Sequence, residues 1–514
     1  MNKIINAPKA RKTALLIASA MLMAVPAEAF AVTVLINSFA GTSQRDTQPL
    51  SGLFNPPDVN GTVGLTQYAQ LQNGVYAVYD KNTGALQAPR ISDSQFFINA
   101  GGTATRGDVR ILFDPTSQRY IATGFGATTN IIQIAVSTTS DALGPFRATS
   151  FIGAAGTADY PTLALTGNTV TIGTNNFNPG FVGVTLNTIS RSDLFGPGAP
   201  SVASLRQFNT PAAGNDGFAQ QGVNRAPGVG SGTDVVAASN LTNELITFNI
   251  SDAGVKGPTR LLGGGNYQGN RPGRQPDLLR TGNARVVDTL DDRVSSSVYE
   301  ANGRIYAVHT VTPVGQDHTV VRISVLDATT KNLLSETDIT GPDDTYDFYE
   351  GSLAVNSRGE FVVGYVRSGD ASHPIDGNIS IFARSYTTNA NGTIASTSGD
   401  ILIKQSPVDD FHLGSVQGRP AAGRQRFGDY SSVSLDPTND NRFYVINQFA
   451  DLFNNVAGVP GTARYGTFIG IIGINQAVGG GVPEPATWAM MIVGFGFAGA
   501  AVRRRRTRVN VSFA

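Results

Sequence analysis

The sequence predicts an all-β fold, and three features of its 514 residues point to it. Glycine and proline, at 59 and 26 residues, are frequent enough for many turns. Only 15% of the chain is charged, while 41% is hydrophobic, which suffices for a large core. Between residues 32 and 480, short runs of Val, Ile, Phe, Tyr and Thr alternate with Gly, Asn, Asp and Pro, without a long helical periodicity. These features exclude a coiled coil, a helical bundle and a polytopic membrane protein.

The apolar runs recur as a unit in which an acidic residue leads into a strand, a turn and two further strands. The clearest copy extends from Asp108 to Ser137, and the last from Asp429 to Ile474. A repeat of about 50 residues with three or four strands is typical of a β-propeller blade. We therefore predict one propeller, with seven blades, or with six or eight as alternatives; a pair of β-sandwiches is the other alternative fold. The acidic residues that mark the copies are Asp58, Asp108, Asp159, Asp234, Asp292, Glu350 and Asp429.

The predicted propeller occupies residues 32–480. Segments rich in Gly, Pro and Asn at residues 191–232, 253–284 and 387–424 are predicted to be loop insertions on one face. The strand from Val32 to Phe39 is predicted to supply the outer strand of the last blade, because this would close the ring and protect an exposed edge.

The N-terminus is predicted to be a signal peptide over residues 1–29. A basic segment precedes an apolar run of about a dozen residues, which is too short for a bilayer that needs about 20. The small residues Ala27 and Ala29 then suit cleavage by signal peptidase after Ala29, with Ala31 as a second position. An uncleaved membrane anchor is the alternative.

The C-terminus contains a second signal over residues 482–508. Pro483, Glu484 and Pro485 precede an apolar segment at residues 486–502, which begins near Trp488 and predicts a short transmembrane helix. An amphipathic or buried core helix is the alternative. A basic end at residues 503–508 follows, and its arginines should remain cytoplasmic, so the body should lie outside. The four consecutive arginines are Arg503, Arg504, Arg505 and Arg506.

This tail resembles the PEP-CTERM sorting signal in the order Pro-Glu-Pro, Trp-Ala-Met-Met, Gly-Phe-Gly and a basic end. The resemblance implies recognition at Pro483, Glu484 and Pro485 by an exosortase-type enzyme. It also implies an inner-membrane intermediate held by the C-terminal helix. After tail cleavage, the body would lie at the outer surface or outside the cell.

The body resembles secreted bacterial propellers of sialidase-like shape. The matching stretches are short and lie at Pro57–Gly64, Ile134–Asp141 and Arg426–Ser432. The Ser-x-Asp-x-Gly-x-Thr-Trp repeat of true sialidases is missing from the sequence, and the single Trp lies in the tail. The resemblance therefore implies a propeller shape, and this departure weakens a sialidase assignment.

The marker carboxylates are predicted to surround one mouth of the central channel, because each precedes an innermost strand. Such a ring can bind Ca²⁺, so Asp58 and Asp108 are candidate ligands. Alternatively, each carboxylate accepts hydrogen bonds from amides of the next blade. A second candidate cation site is the acidic loop with Asp343, Asp344 and Asp347, for which a solvated loop is the alternative. No cofactor other than Ca²⁺ is expected.

Glycoside hydrolysis needs two carboxylates at a set spacing. Glu350, Asp429 and Asp159 are the candidate catalytic residues, and arginines such as Arg110 or Arg426 could bind an acidic sugar.

Net charge argues against a nucleic-acid partner. The terminal segments contain nine of the 38 basic residues but only two of the 38 acidic residues. The stretch between them therefore has 29 basic and 36 acidic residues, which gives a net charge of −7 and disfavours binding to a polyphosphate. The absence of cysteine excludes disulfides and thiolate zinc sites.

The leading hypothesis is an exported, non-enzymatic propeller that binds or organises extracellular polysaccharide. The alternative is a carbohydrate-active hydrolase or lyase that uses the channel carboxylates.

Overall fold

The structure is a computed structural model that describes residues 32–52, 54–153, 156–239, 243–263, 266–276, 285–409, 426–453 and 463–475. The predicted signal peptide, with Ala27, Ala29 and Ala31, and the predicted sorting tail at residues 482–508 lie outside these residues. A search of the described helices finds none with the length and hydropathy of a membrane span. The predicted span at residues 486–502 is not among them.

The described strands form seven blades, which confirms the all-β class and the predicted single propeller. The chain begins with β1 (Val32–Ser43) and α1 (Gln44–Ser51). Blade 1 contains β2 (Gly61–Val63), β3 (Gln67–Gln72) and β4 (Val75–Asp80), followed by α2 (Asp93–Asn99). Blade 2 contains β5 (Arg110–Asp114), β6 (Arg119–Phe125), β7 (Ile131–Ser137) and β8 (Phe146–Ile152). Blade 3 contains β9 (Thr157–Asp159), β10 (Ala164–Thr166), β11 (Thr169–Phe177), β12 (Phe181–Ser190), α3 (Arg191–Phe195) and β13 (Arg206–Pro211).

A 3₁₀ turn (Ala212–Gly214) leads into the second half of the ring. Blade 4 contains β14 (Phe218–Asn224), β15 (Thr233–Ala238), β16 (Leu245–Ile250) and β17 (Arg260–Leu262). The next three strands are short: β18 (Tyr267–Gln268) joins blade 5, whereas β19 (Gly273–Arg274) pairs with β20 (Arg285–Val287). Blade 5 also contains β21 (Val298–Ala301), β22 (Arg304–Pro313), β23 (Val320–Asp327) and β24 (Leu333–Ile339). Blade 6 contains β25 (Tyr346–Val355), β26 (Glu360–Gly369), β27 (Ser380–Thr388), β28 (Ile394–Ser396) and β29 (Ile401–Lys404). Blade 7 contains β30 (Ser432–Leu435), β31 (Arg442–Phe453) and β32 (Ala463–Asn475).

The strand β1 completes blade 7, as predicted. It pairs antiparallel with β32, from Val32 opposite Asn475 to Ser43 opposite Gly466. The buried Phe39 ring on β1 contacts Tyr79 of blade 1 at 5.6 Å between ring centroids. The first strand therefore joins the last blade to the first and removes an unpaired edge.

Hydrophobic clusters lie between neighbouring blades, where the face of one sheet packs on the next. Near the axis, neighbouring blades are joined by hydrogen bonds of polar side chains instead of by hydrophobic contacts. The Oδ1 atom of Asn60 accepts the Ile111 amide of blade 2 at 2.7 Å. Asn224 accepts the Leu165 amide of blade 3 at 2.8 Å and donates to the Val298 carbonyl of blade 5 at 3.0 Å. Side-chain hydrogen bonds thus join the innermost strands of neighbouring blades. The innermost strands of blades 4 and 5, β14 and β21, also pair directly in parallel.

Two predictions about the repeat are wrong. Asp234 does not precede an innermost strand, because it lies on β15, the second strand of blade 4. The segment 191–232, predicted to be a loop, contains β13 and the innermost strand β14. The sequence of β14, Phe-Ala-Gln-Gln-Gly-Val-Asn, is polar because this strand faces the axis, where glutamine and asparagine bond to neighbouring blades. The segments 253–284 and 387–424 also contain short strands.

Candidate functional site

The end of the channel where the innermost strands begin, here called the upper mouth, contains four of the predicted carboxylates. Asp58 and Asp108 have the left-handed backbone conformation, with φ of 47° and 51°. This turn directs each carboxylate toward the adjacent blade. Asp58 Oδ1 accepts the amide of Asp429 at 2.9 Å, and Asp108 Oδ2 accepts the amide of Tyr160 at 3.2 Å.

Asn73 completes this belt of hydrogen bonds between blades. Its Nδ2 donates to Asp58 Oδ2 at 2.7 Å, and its Oδ1 accepts the Asp108 amide at 2.8 Å. A continuous chain therefore runs from blade 7 through blades 1 and 2 to blade 3. This arrangement gives Asp58 and Asp108 a structural role in the ring.

The mouth carboxylates perturb one another. Burial, followed by repulsion from Asp159 and Asp429, raises the pKa of Asp108 to about 7. Burial and then repulsion from Asp429 and Asp108 raise the pKa of Asp58 well above its usual value. The pKa of Asp159 is raised first by desolvation and then by Asp429, while Arg293 and Arg426 oppose the shift. The Asp159 side chain is itself exposed.

A stack of alternating cations and aromatic rings fills the axis below these carboxylates. The Arg110 guanidinium lies 3.7 Å from the Tyr430 ring centroid and 5.0 Å from that of Tyr160. Arg293 lies 4.5 Å from Tyr160 and 4.8 Å from Phe218. Asp291 holds Arg293 through two bonds of 2.7 and 2.8 Å. The stack plugs the channel, since its residues are buried or half-buried.

Three half-buried phenylalanines extend this stack to the rim of the upper mouth. Phe177 and Phe181, at the tip of the β11–β12 hairpin, have ring centroids 5.8 Å apart. Phe181 and Phe218 are 5.3 Å apart. Asp159 and Asn178, both exposed, flank this aromatic row, since β9 pairs with the end of β11. The row therefore presents apolar rings beside exposed hydrogen-bonding groups.

Glu350, the third catalytic candidate, lies inside β25 and is buried. Its main-chain carbonyl accepts the Ser431 hydroxyl at 2.8 Å, which joins blade 6 to blade 7. One carboxylate oxygen lies against the Cα of Gly428, where even a methyl group would not fit. Asp429, the residue after Gly428, is half-buried and paired with Arg426 at 3.1 Å.

The acidic loop does not bring its three candidate ligands together. Asp347 is fully buried and accepts the Arg274 Nε at 2.7 Å and the Thr319 amide at 2.9 Å. Asp343 accepts the Thr345 amide at 3.0 Å, while the Asp344 side chain is 84% exposed. Within the described part of the chain, no group of three or more His, Cys, Asp or Glu side chains has the arrangement of a metal site.

A cavity of about 560 Å³ lies at the opposite end, where the innermost strands finish. Its walls include Val63, Phe113, Leu165 and Val355 from different blades. Its charges are paired internally, as in the bond of 2.8 Å between Lys81 and Asp436. This lower mouth contains none of the predicted site residues.

The sequence analysis did not identify the aromatic row or Asn73. Residues 191–232 were predicted to be a loop, so the strands of blades 3 and 4 within this segment were not recognised. The contact between Phe181 and Phe218 joins these two blades and follows only from the tertiary fold. A Tyr that follows a marker aspartate, at Tyr160 and Tyr430, is a repeated signal that could have indicated the axial stack.

Comparisons of the described fold with solved structures give weak similarities to several propellers. One is a thermostable family-43 glycoside hydrolase with 12% identity, covering 71% of this chain and 88% of that one, at a TM-score of 0.29. Another is Drosophila Semaphorin 1b, extracellular domains 1–2, with 11% identity, 85% and 86% coverage and a TM-score of 0.34. The WD40 domain of SCAP from fission yeast has 8% identity, 84% and 98% coverage and a TM-score of 0.34. Similarities at this level carry no argument about activity, and the propeller assignment depends on the strand pairing described above.

No curated protein matches the chain in sequence. Residues 481–506 match the PEP-CTERM protein-sorting motif, which confirms the resemblance seen in the sequence. This match identifies an exported, envelope-sorted protein that is processed by an exosortase-type enzyme. The chain is thus a seven-bladed β-propeller followed by a PEP-CTERM protein-sorting motif.

Proposed function

We propose that the propeller is a non-enzymatic module that binds extracellular polysaccharide at its upper mouth. The observation that carries this proposal is the row of Phe177, Phe181 and Phe218 at the rim. A sugar ring has apolar C–H faces and a polar hydroxyl edge. Aromatic rings can therefore contact its faces while Asp159 and Asn178 bind its hydroxyl groups.

The charges at this mouth favour a neutral or amino sugar over a uronic acid. Asp429 and its neighbours already repel one another, and this repulsion adds to burial in raising the pKa values of Asp58, Asp108 and Asp159. Asp291 neutralises Arg293, and Asp429 pairs with Arg426. A uronate would add a further negative charge, whereas an ammonium group would relieve the repulsion.

The proposal is tested by measuring the binding of the purified chain to dextran, chitosan and alginate, which are neutral, amino and uronate polymers. We expect binding to dextran or chitosan, weaker binding to alginate, and a loss of about tenfold in affinity for Phe181→Ala. Phe195→Ala is the matched control, because Phe195 is half-buried and lies near arginines but belongs to α3. An equal loss in both variants, or preferential binding of alginate, would contradict the proposal.

A hydrolase remains the second candidate because of one observation at the same mouth. Burial and like charges raise the pKa of Asp108 to about 7, next to Asp159 and Asp429. Glycosidases need one protonated and one ionised carboxyl group. If the polymers in the binding assay become shorter by size-exclusion chromatography, and Asp108→Asn stops the shortening, the upper mouth is catalytic. Binding with unchanged polymer length supports the non-enzymatic module.

A further inference from the structure

The two ends of the propeller axis are filled differently. At the upper end, the axial stack that contains Arg110 and Tyr430 plugs the channel. At the lower mouth, the axis instead holds the cavity of about 560 Å³, whose wall includes residues of all seven blades. Carbohydrate binding at the aromatic row uses the upper mouth alone, so it gives this cavity no role.

The inner wall of the cavity is apolar. Val63, Phe113, Leu165 and Val355 line it, and each of these residues is at most 8% exposed. Each belongs to a different hydrophobic cluster between blades. Four of these clusters therefore reach the axis at this end without closing the space between them. A cavity with apolar walls holds water poorly, so it favours an apolar occupant.

The cavity ends blindly inside the propeller. Arg110 is the first residue of β5 and Phe113 is the fourth, so the stack lies about 10 Å further along the same strand. Arg110 is 4% exposed, and its guanidinium covers the Tyr430 ring. A ligand therefore enters from the lower face and reaches in as far as the stack. The volume lies within the range of about 300–1,000 Å³ that is typical of small-molecule sites.

The charged residues of the wall are already paired. Asp114 is bound by Arg191 at 2.5 Å, and Glu300 is bound by Arg225 at 3.1 Å. All four of these residues line the cavity. Their charges therefore cancel within the wall itself.

The two remaining carboxylates of the wall are paired with cations that lie outside it. Asp436 is bound by Lys81 at 2.8 Å, and Asp440 is bound by Arg358 at 3.0 Å. A charged ligand would therefore enter an apolar space in which the charges of the wall are already used, and it would lose its hydration without gaining a counter-ion. An uncharged ligand avoids this cost.

We propose that the lower mouth is a second binding site, which takes an uncharged amphiphile with its alkyl chain inserted along the axis as far as the stack. The chain contacts the apolar inner wall, and the hydroxyl head stays at the opening. There, Thr116 and Asn439 are exposed and provide uncharged hydrogen-bonding groups. The site is independent of the upper mouth, because the axial stack separates the two.

Photolabelling of the purified full chain tests this site. The probe is an octan-1-ol derivative with a diazirine in its alkyl chain, and mass spectrometry locates the labelled residues. We expect saturable labelling at residues 112–116 and 434–440, which line the cavity. Unlabelled octan-1-ol should suppress this labelling at a concentration about tenfold lower than octanoate or octylammonium, which have the same chain length but a charged head.

The variant Ala226→Trp tests the location. Ala226 is exposed and lines the cavity, so the indole occupies the opening without disturbing the core. Labelling at residues 434–440 should then fall about fivefold. Ala390→Trp is the matched control, since Ala390 is also exposed in a turn but does not line the cavity. Labelling of the apolar segment at residues 486–502 serves as the internal standard for the probe.

A loss confined to Ala226→Trp, with the internal standard unchanged, supports the proposal. Labelling that does not saturate, or that falls equally in both tryptophan variants, would overturn the site. Equal suppression by octan-1-ol and by either charged analogue would overturn the assignment of an uncharged ligand.

Discussion

The guanidinium of Arg110 lies over the ring of Tyr430, with its central carbon 3.7 Å from the ring centroid. Arg110 Nε also donates to the Pro161 carbonyl at 2.9 Å, so one side chain links blades 2, 3 and 7. Because the arginine is buried, its charge depends on these contacts for stabilisation.

The first prediction concerns this arginine. Arg110→Lys should lower the free energy of unfolding by about 2–4 kcal/mol, because an ammonium group cannot stack on Tyr430 and also bond to Pro161. Urea unfolding of the full chain measures this loss. Arg358→Lys is the control, since Arg358 forms an exposed ion pair with Glu360 and should change stability by less than about 1 kcal/mol. Equal losses in the two variants would argue against the axial stack as a stabilising element.

The second prediction concerns pH. In the unfolded chain an aspartate has a pKa of about 3.9, whereas burial and like charges raise the pKa of Asp108 to about 7. Between these values the folded state binds more protons, so stability should decrease as the pH rises from about 4 to about 7. Urea midpoints across this range should vary less in Asp108→Asn, which retains an acceptor for Tyr160.

Asp80→Asn is the control for that experiment. Hydrogen bonds from Thr83 lower the pKa of Asp80, so its contribution is lost only in stronger acid, as the pH falls through the lowered value. The slope between pH 5 and 7 should therefore be unchanged in this variant.

The third prediction concerns closure of the ring. Phe39→Ala should destabilise the fold by about 3–5 kcal/mol, because the ring fills the space between blade 7 and blade 1. Ile36→Ala is the control on the same strand, since its side chain is 47% exposed and should cost less than about 1 kcal/mol. Chemical denaturation provides both values. Similar costs would mean that β1 contributes no specific packing.

The fourth prediction concerns the ion pair at the lower mouth. Lys81 and Asp436 are bonded at 2.8 Å, with side chains only 6% and 1% exposed. Lys81→Met should cost about 3–5 kcal/mol because it leaves a buried carboxylate without its cation. The double variant Lys81→Met/Asp436→Leu should recover part of this loss. A double variant less stable than the single one would show that Asp436 acts mainly through Thr438, whose amide it accepts at 2.9 Å.

The fifth prediction concerns sorting. Replacement of Glu484 by Ala, within the matched motif, should prevent processing by the exosortase-type enzyme. The unprocessed chain should then accumulate in the membrane fraction as a larger species on an immunoblot. Thr487→Ala, three residues further along and outside Pro-Glu-Pro, should be processed normally. Normal processing of the Glu484 variant would show that recognition depends on other residues.

Local sequence pattern was sufficient for parts of the fold. The apolar residues of Val32–Phe39 indicated a strand at the ring closure, and the acidic residue before each apolar run located Asp58, Asp108, Asp159 and Asp429 at one mouth. The local sequence pattern did not predict β14. This strand faces the axis, so it has hydrogen-bonding side chains and does not show the hydrophobic alternation of a half-buried strand. The contact between Phe181 and Phe218 joins two different blades, so it could not be predicted from the periodicity of either strand.

The pairing of β1 with β32 has a consequence for biogenesis. The Thr467 hydroxyl bonds to the Thr42 carbonyl across 425 positions of the chain. Among the described strands, the partner of the first is therefore the last to be synthesised. The edge of β1 therefore stays unpaired until β32 is available. A body truncated before β32 would have an open edge and no closed ring. Ring closure therefore requires both ends of the body, and it distinguishes a chain that has β1 and β32 from a fragment.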